Sequence, residues 1–190
     1  VSGGAGALTA ANVTQVGFTA FNGGGLTGPV RISAKSASVA ADLEPEYVAV
    51  SADSTTAYIM LQENNAVATL DLATKTITGI RGLGFKDYSI PGNEMDPSNE
   101  DGGVNIRSVP VFGVYMPDSA DTYTFNGITY IVTANEGDGR EYLTDAEDAE
   151  DCAEQGGFDF DDGDCFHYLD EIRIKDITDD GATLDKDLVA

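Results

Sequence analysis

The sequence predicts an all-β protein built from propeller-type blades, each a four-stranded antiparallel meander, interrupted by long acidic loop insertions. Three observations carry that expectation. One strand–loop phrase occurs twice, as T-A-Y-I-M-L-Q-E-N-N-A-V at 56–67 and as I-T-Y-I-V-T-A-N-E-G-D-G-R-E-Y at 128–142. Four short β-prone runs follow one another with turn signals at roughly ten-residue spacing, the size of one blade. No helical periodicity longer than a turn or two breaks the pattern. Each copy of the phrase is preceded by a proline–acid pair, Pro45-Glu46 and Pro117-Asp118, 72 residues apart. That spacing is too long for one blade and suits one blade plus an insertion.

Taken in order, residues 1–11 are Gly/Ala-rich and read as a flexible lead-in. Residues 13–21 (V-T-Q-V-G-F-T-A-F) are β-prone and stop at the breaker Gly23-Gly24-Gly25. Val30-Arg31-Ile32 is a short strand candidate before a Ser/Ala-rich stretch. The clearest unit follows, with strands at 46–51, 56–62, 66–72 and 76–80. Its turns fall at Ala52-Asp53-Ser54, Glu63-Asn64-Asn65 and Ala73-Thr74-Lys75. Residues 85–109 are polar and rich in Pro, Gly, Asp and Asn, and a structureless loop of that length is usually functional or disordered.

Strands resume at 111–115 and 121–125, and Asn126-Gly127 marks a hairpin into 128–134. Residues 145–164 hold ten acids and no Lys or Arg, so 143–167 reads as an acidic surface loop stapled by cysteines. The alternating run E-I-R-I-K-D-I at 171–177 is the last strand expected. The 190 residues suffice for one domain, or for part of a propeller.

With 33 acidic and 10 basic residues the net charge is −23. Nucleic acid and anionic membrane surfaces are excluded as partners by like-charge repulsion. Two readings of the charge are compatible: a solvated surface suited to salt water, and attraction of divalent cations. The chain begins at Val1 with no basic-then-apolar leader, and no run of about 18 apolar residues could span a bilayer. A mature or excised product, or part of a longer polypeptide, is therefore expected. Cys152 and Cys165, twelve residues apart inside the acidic stretch, read first as a local disulfide formed in an oxidising compartment. Asn12-Val13-Thr14 is a glycosylation sequon, meaningful only for secretion by a glycosylating cell.

Four phrases carry a family resemblance: Asp42-Leu43-Glu44-Pro45-Glu46-Tyr47, Leu61-Gln62-Glu63-Asn64-Asn65, Gly84-Phe85-Lys86-Asp87 and Ala134-Asn135-Glu136-Gly137-Asp138. In that order they resemble the choice-of-anchor I family of secreted bacterial proteins, whose animal relatives are mesenchyme-specific cell-surface glycoproteins associated with biomineralisation. The resemblance runs from about Val16 to Leu188. It implies a propeller-like fold and an extracellular or surface-attached setting. This chain would cover about three to four blades of a complete propeller. It would then meet the missing remainder, or close its sheet edges against other chains. The resemblance also implies a shorter connection after Glu141-Tyr142, which makes the Cys152–Cys165 segment an insertion.

Three acidic clusters are candidates for calcium, which takes about six to eight oxygen ligands from alternating side chains and turn carbonyls. The first is Asp96, Asn99 and Asp101 beside Gly102-Gly103, with a plain Asx-turn loop as the alternative. The second is Glu136, Asp138 and Glu141, where glycines flank Asp138; a salt-bridge network through Arg140 is the alternative. In a propeller, Glu44, Glu46 and Glu63 would stand at comparable blade positions and converge on the same axis. The third is Asp159, Asp161, Asp162 and Asp164, with a solvated acidic loop as the alternative. None keeps the EF-hand spacing.

His167 is the only histidine, which rules out a multi-histidine zinc site within this chain. No nucleophile elbow, Walker or dinucleotide glycine motif occurs. The expected function is a secreted or cell-surface, calcium-binding module with a structural, adhesive or mineral-associated role. The rivals are a metal-dependent phosphoesterase of the alkaline-phosphatase or phytase type, and a self-assembling filament or surface-layer subunit.

Overall fold

Strands dominate the computed structural model, which describes residues 9–32, 38–97 and 102–169. The chain divides into two units, Val1–Gly84 with Met116–Glu136, and Phe85–Tyr115 with Gly137–Ala190.

The first unit contains the blade-sized meander. After β1 (Leu26–Thr27) and the short α1 (Val39–Asp42) come β2 (Pro45–Val50), β3 (Thr56–Leu61), β4 (Ala66–Asp71) and β5 (Thr76–Gly82). The sheet order is β1-β5-β4-β3-β2. The last four strands are antiparallel, and β1 adds in parallel with Leu26 opposite Ile80. β3 and β4 lie in the middle, and their A-Y-I-M-L and A-V-A runs bury side chains on both faces. That accounts for their imperfect alternation. Phe21, Leu43, Leu61, Ala66, Ala68 and Ile80 form the core, with Ile59, Ile77 and Leu26 packed against it.

Local chemistry sets the turns. Asp53 Oδ1 accepts from Ser51 Oγ (2.7 Å) and from Thr55 N and Oγ1 (3.1 and 2.9 Å), closing the β2–β3 turn. Asp71 Oδ1 does the same for Thr74 N and Oγ1 (2.7 and 2.9 Å) between β4 and β5. At the end of β5 only glycine fits: a Cβ on Gly82 would run into the backbone of Pro29 and Val30.

Two strands expected early in the chain are not formed. Within 13–21 the regular element is a 3₁₀ turn, Thr19–Phe21, and Phe18 and Phe21 both face the core. Residues three apart share a side of a 3₁₀ turn, so this pair overrides the β-prone composition. Residues 30–32 form no strand either. Gly28 at φ 70° and Pro29, which lacks an N–H, break the backbone, and Arg31 N bonds instead to Asn64 O (2.9 Å).

The same unit holds a two-stranded sheet, β8 (Pro117–Phe125) and β9 (Ile128–Asn135). Their connection Asn126-Gly127, at φ 51° and 75°, has the left-handed backbone of a two-residue hairpin turn. β8 starts at Pro117, four residues before the alternation suggested, with a bulge near Ser119. Thr122 Oγ1 donates to Val50 O (2.8 Å), which links β8 to β2.

In the second unit, β6 (Phe85–Asp87) pairs antiparallel with β7 (Phe112–Val114), and the Phe85 and Phe112 rings meet edge to face at 6.4 Å. Between them the long polar stretch is cross-tied by the bridge Met95–Arg107 and by Tyr88 bonds to Val109 and Val111. The acidic segment expected as a loop is folded. β10 (Glu141–Asp145), α2 (Ala149–Gln155), β11 (Asp159–Asp161) and β12 (Asp164–Leu169) form a three-stranded sheet of order β10-β12-β11 with a helix attached.

Its acids act locally. Asp148 caps α2 by accepting from Glu150 N and Asp151 N (3.0 and 2.9 Å), and Glu150 and Asp151 lie in the first turn, where the helix dipole favours them. Gly156 at φ 87° ends the helix, and Asp162-Gly163, at φ 47° and 98°, turns the β11–β12 hairpin. Cys152 and Cys165 are joined, as expected, with Cα atoms 5.2 Å apart and both side chains buried. The strand expected at 171–177 lies outside the described residues. The described sheets are open, and none closes on itself.

Two predictions follow from these local devices. The bonds from Ser51 and then Thr55 hold the Asp53 carboxyl below its ordinary value of 3.8, and those from Thr74 do the same for Asp71. A lowered folded pKa contributes stability that is present above the unfolded value and lost as pH falls through the folded one. Denaturant midpoints should therefore fall less steeply below about pH 4 in the Asp53→Asn/Asp71→Asn double variant than in the parent. Identical acid limbs would refute it. Reducing Cys152–Cys165, which closes a 13-residue separation, should cost about 3 kcal/mol in the cooperative unfolding of this segment. A midpoint unmoved by reductant would show that the bridge does not stabilise it.

Candidate functional site

The two copies of the repeated phrase meet in the first unit, at the β3–β4 turn Gln62-Glu63-Asn64-Asn65. Asn65 N–H donates to Gln62 O (2.8 Å), and Asn65 takes φ 48°, a conformation asparagine tolerates. The turn is not on the surface: Gln62 is 4% exposed, and Asn64 and Asn65 are fully buried. Buried amides must find partners.

The Asn64 side chain donates to Arg31 O (2.8 Å) and to Asp42 Oδ2 (2.9 Å), and its Oδ1 accepts from Glu44 N (3.0 Å). The Asn65 side chain donates to Gly84 O (2.7 Å) and accepts from Met116 N (3.2 Å). Arg31 Nη1 reaches Glu63 O (3.1 Å). Gln62 Nε2 donates to Glu136 Oε2 (3.1 Å), and Glu136 N–H donates to Met116 O (3.2 Å). The acidic end of the second phrase is thus held by the amide end of the first.

The predicted site residues are distributed as follows. Glu136 is exposed, closes the first unit and accepts the Gln62 bond; Glu44 and Glu63 are half-buried around the same turn, and Glu46 is exposed on β2. Asp138 and Glu141 belong to the second unit, both exposed, Glu141 as the first residue of β10. Arg140 is 2% exposed, with its guanidinium carbon 5.9 Å from the Tyr142 ring centroid. Asp96 Oδ2 accepts from Asn105 N (3.1 Å), whereas Asn99 and Asp101 lie outside the described residues.

Asp159 and Asp161 alternate on one side of β11, with Asp164 opposite Asp161 and Asp162 in the turn, all exposed. Among the described residues no three His, Cys, Asp or Glu side chains converge closely enough to hold a metal ion. Asn12 is exposed, and its Oδ1 accepts from Thr9 N and Oγ1 (2.9 and 3.0 Å). The Thr144 hydroxyl donates to Gln155 Oε1 (2.8 Å) and so accepts from His167 Nε2 (2.8 Å).

The model of the choice-of-anchor I domain matches residues 1–183. The chain belongs to that family. No curated protein and no solved structure matches it. In this choice-of-anchor I chain the four phrases that carry the resemblance include the Asp42–Glu44 segment, the buried turn and Glu136, three parts of one bonded network. Residue-level reading took Asn64 and Asn65 for an ordinary surface turn and gave Asp42 and Gln62 no role. The signal that could have found them is the amide pair itself, since a plain strand connection needs no second amide. A surface-associated, extracellular setting fits the family together with the buried disulfide.

Replacing Asn64 by Leu should lower stability by about 2–4 kcal/mol, because the Asp42 carboxylate and Glu44 N–H lose a buried partner. Asn65→Gly should be milder than Asn65→Ala, since glycine accepts φ 48°. Equilibrium unfolding checks both; a loss under about 1 kcal/mol for Asn64→Leu would remove the network from its structural role.

Proposed function

We propose that this chain is a secreted, surface-associated structural module of propeller-type blades that uses calcium at its acidic loops for an adhesive or mineral-associated role. The observation that carries the reading is family membership across residues 1–183. The buried Cys152–Cys165 bridge supports an oxidising, extracellular compartment, and the net charge of −23 supports attraction of divalent cations. Under this reading Glu136, with Glu44 and Glu63 around the same buried turn, offers oxygen ligands at the rim of the first unit. Asp159, Asp161, Asp162 and Asp164 offer a separate acidic hairpin in the second. Ligands added by a mineral surface or by water would complete coordination that these carboxylates only begin.

Isothermal calorimetry with Ca²⁺, paired with thermal melting with and without chelator, tests the metal part. Binding with a raised melting temperature is expected, weakened when Asp161 and Asp164 are both changed to Asn. No heat of binding and an unmoved melting temperature would sink it.

A further inference from the structure

Among the described residues β9 ladders with β8 alone, so its other edge is open. Its sequence, I-T-Y-I-V-T-A-N, has no charge, proline or glycine. Natural sheets blunt a long edge with lysine, proline or a bulge, and β9 carries no such residue. The hairpin is also apolar on one face. Register partners share a face in an antiparallel pair, which places Tyr123 with Tyr130 and Phe125 with Ile128, on the same side as Val132. These five are 51, 39, 61, 56 and 55% exposed, in that order, and the two tyrosine rings stack at 5.1 Å. The threonines Thr122, Thr124, Thr129 and Thr133 take the other face, where Thr122 bonds Val50 of β2.

We propose that β9 pairs antiparallel with β9 of a second copy of this chain, fusing two hairpins into one four-stranded sheet. Backbone chemistry sets the class of occupant. A row of outward N–H and C=O groups at strand spacing is matched by another extended strand. Charge then selects the partner geometry. Each copy carries −23, yet β9 is neutral, and the nearby acids Asp118, Asp121 and Glu136 all lie toward its Asn135 end, none at the Asn126-Gly127 turn.

A two-fold axis normal to the sheet keeps both apolar faces on one side and requires residues of like parity to face each other. In the register centred on Ile131, Tyr130 stands opposite Val132, Thr129 opposite Thr133, and Ile128 opposite Ala134. Aromatic–β-branched and Thr–Thr pairs of this kind stabilise antiparallel sheets. Glu136 of each copy then faces the neutral Asn126 turn of the other. The two acidic ends stand about 30 Å apart at strand rise, well beyond a Debye length of about 8 Å in physiological salt. Parallel pairing would bring those ends together.

The test uses the whole 190-residue chain in chelator, which removes calcium bridging and keeps this proposal separable from the calcium reading. Sedimentation equilibrium at about 0.05 and 0.5 M salt should show a reversible dimer, tighter by roughly tenfold or more at the higher salt as repulsion between the two acidic copies is screened. Val132→Lys should weaken it by about tenfold or more by placing a gatekeeper on the edge. Because that change lowers the net negative charge, added repulsion cannot explain such a loss. Ile131→Cys should couple covalently to its own copy under mild oxidation, faster than Thr129→Cys, since only residue 131 faces itself.

A monomer at both salts overturns the proposal. So does a dimer indifferent to Val132→Lys, equal coupling by the two cysteine variants, or association only with a different polypeptide.

Discussion

Two buried amide side chains, Asn64 and Asn65, hold the first unit in its arrangement. Their four side-chain heteroatoms bond to groups on five segments: Arg31, Asp42 and Glu44 on one side, Gly84 and Met116 on the other. A single hydrogen bond adds only about 1 kcal/mol net, but a buried polar group stripped of its partner costs about 1–3 kcal/mol. Such a cluster is therefore strongly one-sided: complete, it selects one placement of the flanking loops; incomplete, it penalises every alternative. The meander would fold without it, because its strands are tied by short turns. The approach of β8 and β9 to that meander has no such local support, and there the amides, with Gln62 reaching Glu136, supply part of the connection.

Legibility in the sequence followed the same division between local and distant causes. β2 to β5 were readable to within a residue or two because each boundary carries its own chemistry, such as Asp53 over Thr55 or Asp71 over Thr74. Asn126-Gly127 announced its hairpin for the same reason. Failures arose where a tertiary partner decided the outcome. Phe18 and Phe21 turn inward together, and Arg31 bonds a turn rather than a strand. The acidic segment was hidden by its composition, although Asp148, Gly156 and Asp162-Gly163 are recognisable helix and hairpin punctuation. For the candidate site, residue types were visible in advance, while which of them meet was not. Gln62 and Glu136 are 74 positions apart, and no local pattern couples them.

The acids deserve a different accounting from the one their number invites. Many carboxylates among the described residues accept bonds from nearby backbone N–H groups: Asp53, Asp71, Asp87, Asp96, Asp148 and Asp159 each do so. Asp and Glu substitute well for water at turns and helix starts because an ionised oxygen makes a stronger acceptor than a neutral one. A chain of net charge −23 can therefore use much of its negative charge as turn and cap chemistry. The residual field acts on the surroundings through long-range attraction of cations.

The route of the backbone between the two units has its own consequence. The chain leaves the first unit after Gly84, re-enters it at Met116 and leaves again after Glu136. Neither unit is a contiguous stretch, so no single cleavage point divides this polypeptide into two complete pieces. During synthesis the meander can mature as soon as residue 84 emerges, but β8 and β9 arrive only after a further stretch belonging to the other unit has been made. The first unit must keep its binding place for them open in the interval, and any truncated product ending between residues 85 and 115 exposes that unfinished surface.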